Sequence, residues 1–450
     1  MLRVKINSII HEVNEELAER EELVHTIALA LLTRKNLFVL GEPGQAKSQA
    51  IDSFRAHISD ANQFEILMSK GIDQEQLFGR LDLASIIPGH ISKSVLKNDT
   101  KYREMKKRLA ELMEKAQTEE EFRELSELDA NMSRYISGLA KIYGNSPEII
   151  TEGKIPDSHI CFLDEIFKAN DGVLNSLLKA LNERVYTNEG ITTEIPVISF
   201  FSASNEIPNF NNPEEKSLKA LYDRFDFKVC TKYVEDKANR MRILKNKQSG
   251  NSMVLDTSIT IAELEQMQLE VRAVSVPDSI NELADNILCE LRRKGIPVSD
   301  RIYFNFTPVV QAEAYLAGRD TVKPEDMSAL VNYLWDKPEE YAVVKEVITR
   351  LTENPLGEEI DKILASAYNL RAQFEKSADK VQGLATLREA LVDLYGEVVA
   401  LKAGIDEDDA AITAIDGAID TLNEISKVAH AQTNYTHVNL KERYELRNIA

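Results

Sequence analysis

The stretch NLFVLGEPGQAKSQAI, residues 36–51, sets four apolar residues ahead of a glycine turn and a Lys-Ser pair. A buried strand, a glycine turn and Lys-Ser opening a helix are together what a triphosphate requires. The turn aims successive backbone N–H groups inward and the helix N-terminus adds positive potential. The lysine reaches the outer phosphates, and the hydroxyl holds Mg²⁺. Gly41, Glu42, Pro43, Gly44, Gln45, Ala46, Lys47, Ser48 and Gln49 are the residues this scheme sets around ATP, with Ser48 also on the metal. Ala46 stands where the strict pattern GxxxxGK[ST] has glycine. A methyl group there is tolerable if residue 46 has a negative φ, because alanine is penalised only at positive φ.

Five further residues fit the same chemistry. The segment ICFLDEI ends an apolar run in Asp164 and Glu165. That is the C-terminal end of a predicted strand, where open α/β sheets place their ligands. Asp164 there holds Mg²⁺ through water, and Glu165 polarises an attacking water. The plainer reading is a strand reaching the surface in two acids. Asn205 ends the next apolar run and orients the same water or meets the γ-phosphate; alone it would read as a turn cap. Arg224, in KALYDRFDFKV, reads as an arginine finger for a neighbouring subunit's nucleotide, or as a surface arginine paired with Asp223 or Asp226. Arg301, in VSDRIYF, reads as a phosphate contact from a second domain, or as a partner of Asp300.

The elements that must position these residues follow from periodicity. Residues 7–34 read as one helix, with Ile9, Ile10, Val13, Leu17, Val24, Ile27 and Leu31 on its apolar face. Leu37–Leu40, the segment 159–170 with its terminal acids, and 197–206 read as buried strands. Residues 184–196 read as a β-hairpin turning at Asn188, Glu189 and Gly190. Residues 100–143 are highly charged, yet Tyr102, Met105, Leu109, Leu112 and then Leu125, Leu128, Met132, Tyr135, Leu139 step by three and four, which predicts a helical hairpin. Thr260 and Glu263 make a capping box, and Pro277 and Pro324 are placed to open helices. The last hundred residues carry three seams, Ile360–Val381, Leu384–Leu401 and Ile412–Leu422. Gly383 and Gly404 lie between them at the expected reversals. They predict a three-helix antiparallel bundle. Trp335 is expected in a helical core.

Bulk properties narrow the class. A chain of 450 residues exceeds one hydrophobic core, so two or three domains are expected. Residues are 43% hydrophobic and 28% charged, as in a globular protein. The formal net charge of -20 disfavours nucleic acid as a partner. Cys161, Cys230 and Cys289 lie far apart, which points to a reducing compartment and against a zinc site. No apolar run approaches the roughly 20 residues that span a bilayer, and the N-terminus does not read as a signal peptide, so the cytoplasm is the expected location.

Taken in order, these motifs resemble the AAA+ ATPases, specifically the MoxR family and within it the RavA-like branch. GEPGQAKS matches the family pattern GxPGxAK[ST], alanine included. FLDEI with LNSLLKALNERVY is similar to the Walker B segment and its following helix. ASNE is similar to sensor 1, LYDRF to the arginine-finger segment and SDR to sensor 2. The resemblance implies an α/β fold, a P-loop αβα sandwich at 1–232, then an all-α lid at 233–340; the bundle at 345–450 matches nothing specific. It implies an ATPase with Mg²⁺, assembled as a homo-oligomeric, hexameric ring. It also implies a chaperone-like role toward a protein partner carrying, or working beside, a von Willebrand factor A domain. The spacing from Lys47 to Asp164 is longer than the family's, and the excess is the hairpin at about 100–143. The alternative is a nucleotide-gated scaffold that assembles on ATP with little turnover.

Overall fold

The computed structural model describes residues 2–82, 91, 93–115, 118–143, 149–188, 191–212, 215–249, 256–353, 355–402 and 410–449. Their contacts divide the chain into two units, residues 1–273 with 315–318 and residues 274–314 with 319–450.

The first unit is built on one five-stranded parallel sheet. Its strands are β1 (Leu37–Leu40), β2 (Gln63–Leu67), β3 (Ile160–Asp164), β4 (Ser199–Ser204) and β5 (Phe227–Cys230), in the order β2–β3–β4–β1–β5. Leu40 lies opposite Ser204 and Cys230, and Asp164 opposite Ala203 and Leu67. Parallel strands put all their C-terminal ends on one edge, so each motif that follows a strand is delivered to the same place. β4 is buried along its whole length, and β1 and β3 at every residue but the last. That is why they read as continuous apolar runs rather than alternating ones. On one face Phe38, Cys161, Leu163 and Phe200 pack against Leu177 and Leu181 of helix Asp171–Glu183. On the other, Ser199 Oγ donates to the Ala30 carbonyl at 3.0 Å.

The single helix expected over 7–34 is two, α1 (Leu2–Glu16) and α2 (Glu21–Thr33). The apolar period runs across the break because Leu17 and Ala18 are buried there as well. Glu19, at φ +56°, turns the chain. α3 (Lys47–Ala56) follows the turn after β1.

The charged segment forms a helical hairpin, α4 (Thr100–Lys115) and α5 (Glu119–Tyr143). Leu112 and Leu139 are buried in its seam, and Arg108 bridges to Glu124 at 3.0 Å. Strands Val185–Asn188 and Ile191–Glu194 pair antiparallel as expected, with Glu189 and Gly190 of their turn outside the described residues. The Thr260–Glu263 capping box is present at the start of helix Ile261–Arg272. This helix and helix Lys237–Ser249 group by contact with the first unit.

In the second unit, Pro277 precedes helix Asp278–Arg293 and Pro324 opens the 3-10 helix Pro324–Leu330. Trp335 is 1% exposed, edge-on to Tyr341. Helices Pro355–Lys376, Lys380–Lys402 and Ala410–His430 pack together around Ala367, Leu391, Val398, Ile415 and Leu422. Two details differ from the expected bundle. The first reversal falls at 377–379, which puts Gly383 inside the second helix and leaves Val381 exposed. A fourth helix, Leu440–Ile449, packs on the bundle through Leu440 and Tyr444. Gly404 lies outside the described residues.

Candidate functional site

The turn after β1 is the centre of the site. The Gly41 N–H donates to the Ser204 carbonyl at 3.1 Å, tying the start of the turn to the end of β4. Gly44 takes φ +81°. Ala46 takes φ +57°, ψ 28°, so the negative φ that would have made its methyl group harmless is not what forms. The physical reason is the sharpness of the turn: residue 46 must redirect the chain immediately before α3 begins at Lys47. Alanine accepts the left-handed conformation there at a cost of about 1–2 kcal/mol.

The turn is gripped from behind by residues that motif reading did not single out. Arg20 is 5% exposed; its Nε donates to the Gln45 carbonyl at 2.9 Å and its Nη2 to the Lys232 carbonyl at 2.8 Å. Thr231 Oγ1 donates to the Gln45 side-chain oxygen at 2.7 Å. A Cβ on Gly41 would collide with that hydroxyl and that carboxamide, so glycine is required by close approach. Tyr233 OH reaches the Pro43 carbonyl at 3.4 Å. Beside Gly44, Gln45 and Ala46 lies a cavity of about 1010 Å³, walled by Leu17, Ala18, Tyr233 and Ile243 among others. Neither Arg20 nor these walls carries a local signal, since they reach the turn only through tertiary packing.

Lys47, Asn205 and Glu165 form a chain of contacts. The Lys47 ammonium is buried under the turn, donating to the carbonyls of Gly41 and, at 3.1 Å, Glu42. It also donates to Asn205 Oδ1 at 2.8 Å, and Asn205 Nδ2 donates to Glu165 Oε1 at 2.7 Å. The second Glu165 oxygen lies 3.4 Å from Ser204 Oγ and 3.4 Å from Lys168 Nζ. Burial depresses the Lys47 pKa, against the opposing pull of Glu165, Asp164 and Glu42. Burial raises the Asp164 carboxyl, and neighbouring Glu165 raises it further, against the Glu165 N–H and Lys47. Glu165 itself sits at φ +53°, its N–H donating to the Ala203 carbonyl at 2.8 Å. Ser48 is half-buried in the first turn of α3. Glu42, Pro43 and Gln49 are exposed, Gln49 donating to Glu16 at 3.1 Å.

One expected residue, Arg224, is not gathered here. Asn36, which precedes β1, donates through Nδ2 to the Arg224 carbonyl at 2.8 Å. Arg224 therefore lies at the N-terminal edge of the sheet, while the turn follows the C-terminal edge. Four strand residues, roughly 13 Å at about 3.3 Å each, separate the two. Of the acids in its simpler reading, Asp223 pairs with Lys219 at 2.9 Å and Asp226 with Lys35 at 3.6 Å. Arg224 Nε is buried without a hydrogen-bond partner among the described residues. Arg301 is exposed in the short helix Asp300–Phe304 of the second unit, and Asp300 pairs with Arg292 at 3.0 Å instead. Among the described residues no cluster of three or more His, Cys, Asp or Glu could hold a metal by itself, and no helix is long and apolar enough to cross a membrane.

A phosphate-cradle turn after β1, an acid pair ending β3 and an asparagine at the end of the strand between them define a P-loop α/β protein. Comparison narrows this. A model of the MoxR domain found in MoxR–vWA–β-propeller ternary systems matches residues 4–98 and 136–269, and a model of an AAA lid domain matches 275–348. The chain belongs to the MoxR family of AAA+ ATPases. It is 30% identical over 358 residues to an uncharacterised protein of Methanocaldococcus jannaschii, covering 80% of this chain and 77% of that one. A second uncharacterised protein of that organism is 28% identical over 381 residues, 84% and 85% of the two chains. A solved structure from Cytophaga hutchinsonii, described as a candidate ATPase, superposes with a TM-score of 0.52 at 16% identity over 78% of this chain and 94% of that one, which bears on the fold alone. The MoxR match breaks off between residues 98 and 136, across α4 and much of α5.

Proposed function

We propose that this chain is an ATP-hydrolysing protein that assembles as a homo-oligomeric ring, hexameric by family resemblance, and remodels or helps assemble a protein partner. The observation that carries the reading is the Lys47–Asn205–Glu165 chain beneath the turn. It sets a cation, an amide and a carboxylate side by side where a triphosphate's outer end would lie. Glu165 takes the role of general base toward water, held in orientation by Asn205, and Lys47 neutralises the outer phosphates. Arg301 adds a second phosphate contact, and Arg224 serves the neighbouring copy. Gly41 to Gln49 supply the cradle.

The residues fit Mg²⁺: the raised Asp164 carboxyl is a partly buried acid beside a second acid, which a cation would relieve. Ser48 and Asp164 would hold it, Asp164 through water. When bound, the ion offsets charge on the phosphates. The matched domain's description names a vWA protein in its ternary systems, which supports a partner with a von Willebrand factor A domain. The RavA-like affinity rests on the quoted motifs alone; the division into a core at 1–232, a lid at 233–340 and a bundle at 345–450 rests on the family resemblance and, for the bundle, on its apolar seams. A cytoplasmic setting completes the reading.

The test is Glu165→Gln, followed by ATP binding and steady-state phosphate release. Retained binding with turnover reduced at least about 10²-fold supports the assignment. Wild-type turnover in that variant refutes it. Binding by the wild-type chain without measurable turnover would favour the nucleotide-gated scaffold instead.

A further inference from the structure

We propose that the α4–α5 hairpin is a docking element for a second copy of this chain, with α4 of one copy lying beside α5 of the next. This rests on the ring reading above and assigns a surface that the reading leaves without a role.

The two helices are oppositely charged. α4 carries six Lys or Arg against three Glu, a formal charge of +3, and α5 carries six acids against three bases, a formal charge of -3. The chain's net charge is -20, and α4 shares a positive surplus with helix Lys237–Ser249, which has five Lys or Arg and no acid; α4 differs in lying beside an acidic helix of the same hairpin. Pairing within the hairpin uses little of this charge. Arg108 bridges to Glu124 at 3.0 Å, and Arg123 meets Glu127 of its own helix at 3.3 Å. Arg103, Lys106 and Lys107 are exposed on α4, and helical spacing puts Arg103 and Lys107 on its outward side and Lys106 at the flank of the Leu109–Leu112 seam. Lys106 and Lys107 have no ion-pair partner among the described residues. Glu120, Glu127 and Asp129 are exposed on α5. Close to the bend between the helices, Met113 is 70% and Phe122 58% exposed, two apolar side chains suited to anchor a contact whose rim is charged.

This distribution selects the occupant. An acidic client would engage α4 and be repelled by α5. A second hairpin satisfies both. A two-fold axis can also set α4 on α5 by laying two hairpins face to face, but it stops at a pair, whereas head-to-tail repetition sets α4 against α5 at every contact of the ring on which this proposal rests. Such heterologous contacts are the kind that close rings. Each exposed ion pair is weak, so the effect comes from several acting across every contact and is sensitive to salt.

The experiment uses two full-length chains in the Glu165→Gln background, which is expected to bind ATP without turnover. One carries Arg103→Glu, Lys106→Glu and Lys107→Glu, turning α4 to -3. The other carries Glu120→Lys, Glu127→Lys and Asp129→Lys, turning α5 to +3. Both leave the apolar seam and the Arg108–Glu124 bridge intact, and circular dichroism checks the helices. With Mg-ATP, sedimentation velocity is expected to show each variant alone assembling at concentrations at least about tenfold higher than the parent. An equimolar mixture is expected to recover assembly near the parent's, with both chains present by native mass spectrometry. If each variant assembles alone like the parent, or if the mixture fails to recover, the hairpin pairing is overturned while the ring stands. If the parent itself stays monomeric with Mg-ATP, it is the ring reading that falls first.

Discussion

Replacing Ala46 by glycine should make the nucleotide-free protein more stable, although it enlarges no contact. Residue 46 sits at φ +57°, where a Cβ costs about 1–2 kcal/mol. Glycine removes that cost but gains freedom in the unfolded chain worth about 0.4–1 kcal/mol. The difference leaves a net gain of about 0.5–1 kcal/mol. For a unit of this size that is a rise of about 1–4 °C in the transition of the first unit. Ala46→Val should move the other way by at least about 1 kcal/mol, because a β-branched side chain is a genuine outlier at positive φ. Calorimetric scans of the three proteins without nucleotide give the comparison, and titration with Mg-ATP gives a second readout. Since glycine leaves the amides of the turn where they are, affinity should hold or tighten. A loss of more than about 1 kcal/mol on Ala46→Gly, or a valine tolerated as well as alanine, would refute the left-handed assignment and the strain argued from it.

Three further outcomes are expected. Arg20→Ala removes donors from the Gln45 and Lys232 carbonyls and should cost roughly 2–4 kcal/mol in urea unfolding, with weaker ATP binding because the turn loses its backing. Asp164 has a folded pKa raised above its ordinary 3.8. It therefore favours folding while protonated, below that ordinary value, and the contribution is lost as pH rises through the raised one. At neutral pH Asp164→Asn should accordingly raise the melting temperature of the nucleotide-free protein, by a margin that shrinks as the solution is acidified, and should abolish Mg²⁺-dependent phosphate release. Arg224→Ala should lower turnover by about 10³-fold with ATP affinity kept, and mixing it with Glu165→Gln chains should restore part of the activity, since some mixed contacts then hold an intact Glu165 facing an intact Arg224. An inactive mixture of co-assembled chains would argue against action between subunits.

What the sequence made legible was local. The strand at 37–40, the turn and Lys47 at the head of α3 are contiguous, and the acid pair and Asn205 each end an apolar run. One parallel sheet then suffices to bring them together. Arg20 was out of reach because its bonds to the turn cross 25 residues and depend on Glu19 breaking what periodicity reads as one helix. The left-handed Ala46 was missed for a related reason: the motif fixes residue types, while φ is imposed by the demand that α3 start one residue later. In the bundle, seams at Leu384 to Leu401 were plain, yet Val381 fell outside them because the bend arrives two residues before it. Leu440–Ile449 is short and charged, and it earns its helix by packing on neighbours rather than by its own pattern.

Arg224 and the phosphate turn stand at opposite edges of one rigid sheet, and no side-chain movement brings them within reach of each other. On the role proposed for Arg224, each chain would hold two halves of a reaction centre that it cannot join alone. If Arg224 acts as proposed, dilution should silence the protein with every fold intact, specific activity should climb with concentration, and the rate would become a gauge of how many subunits have found a neighbour.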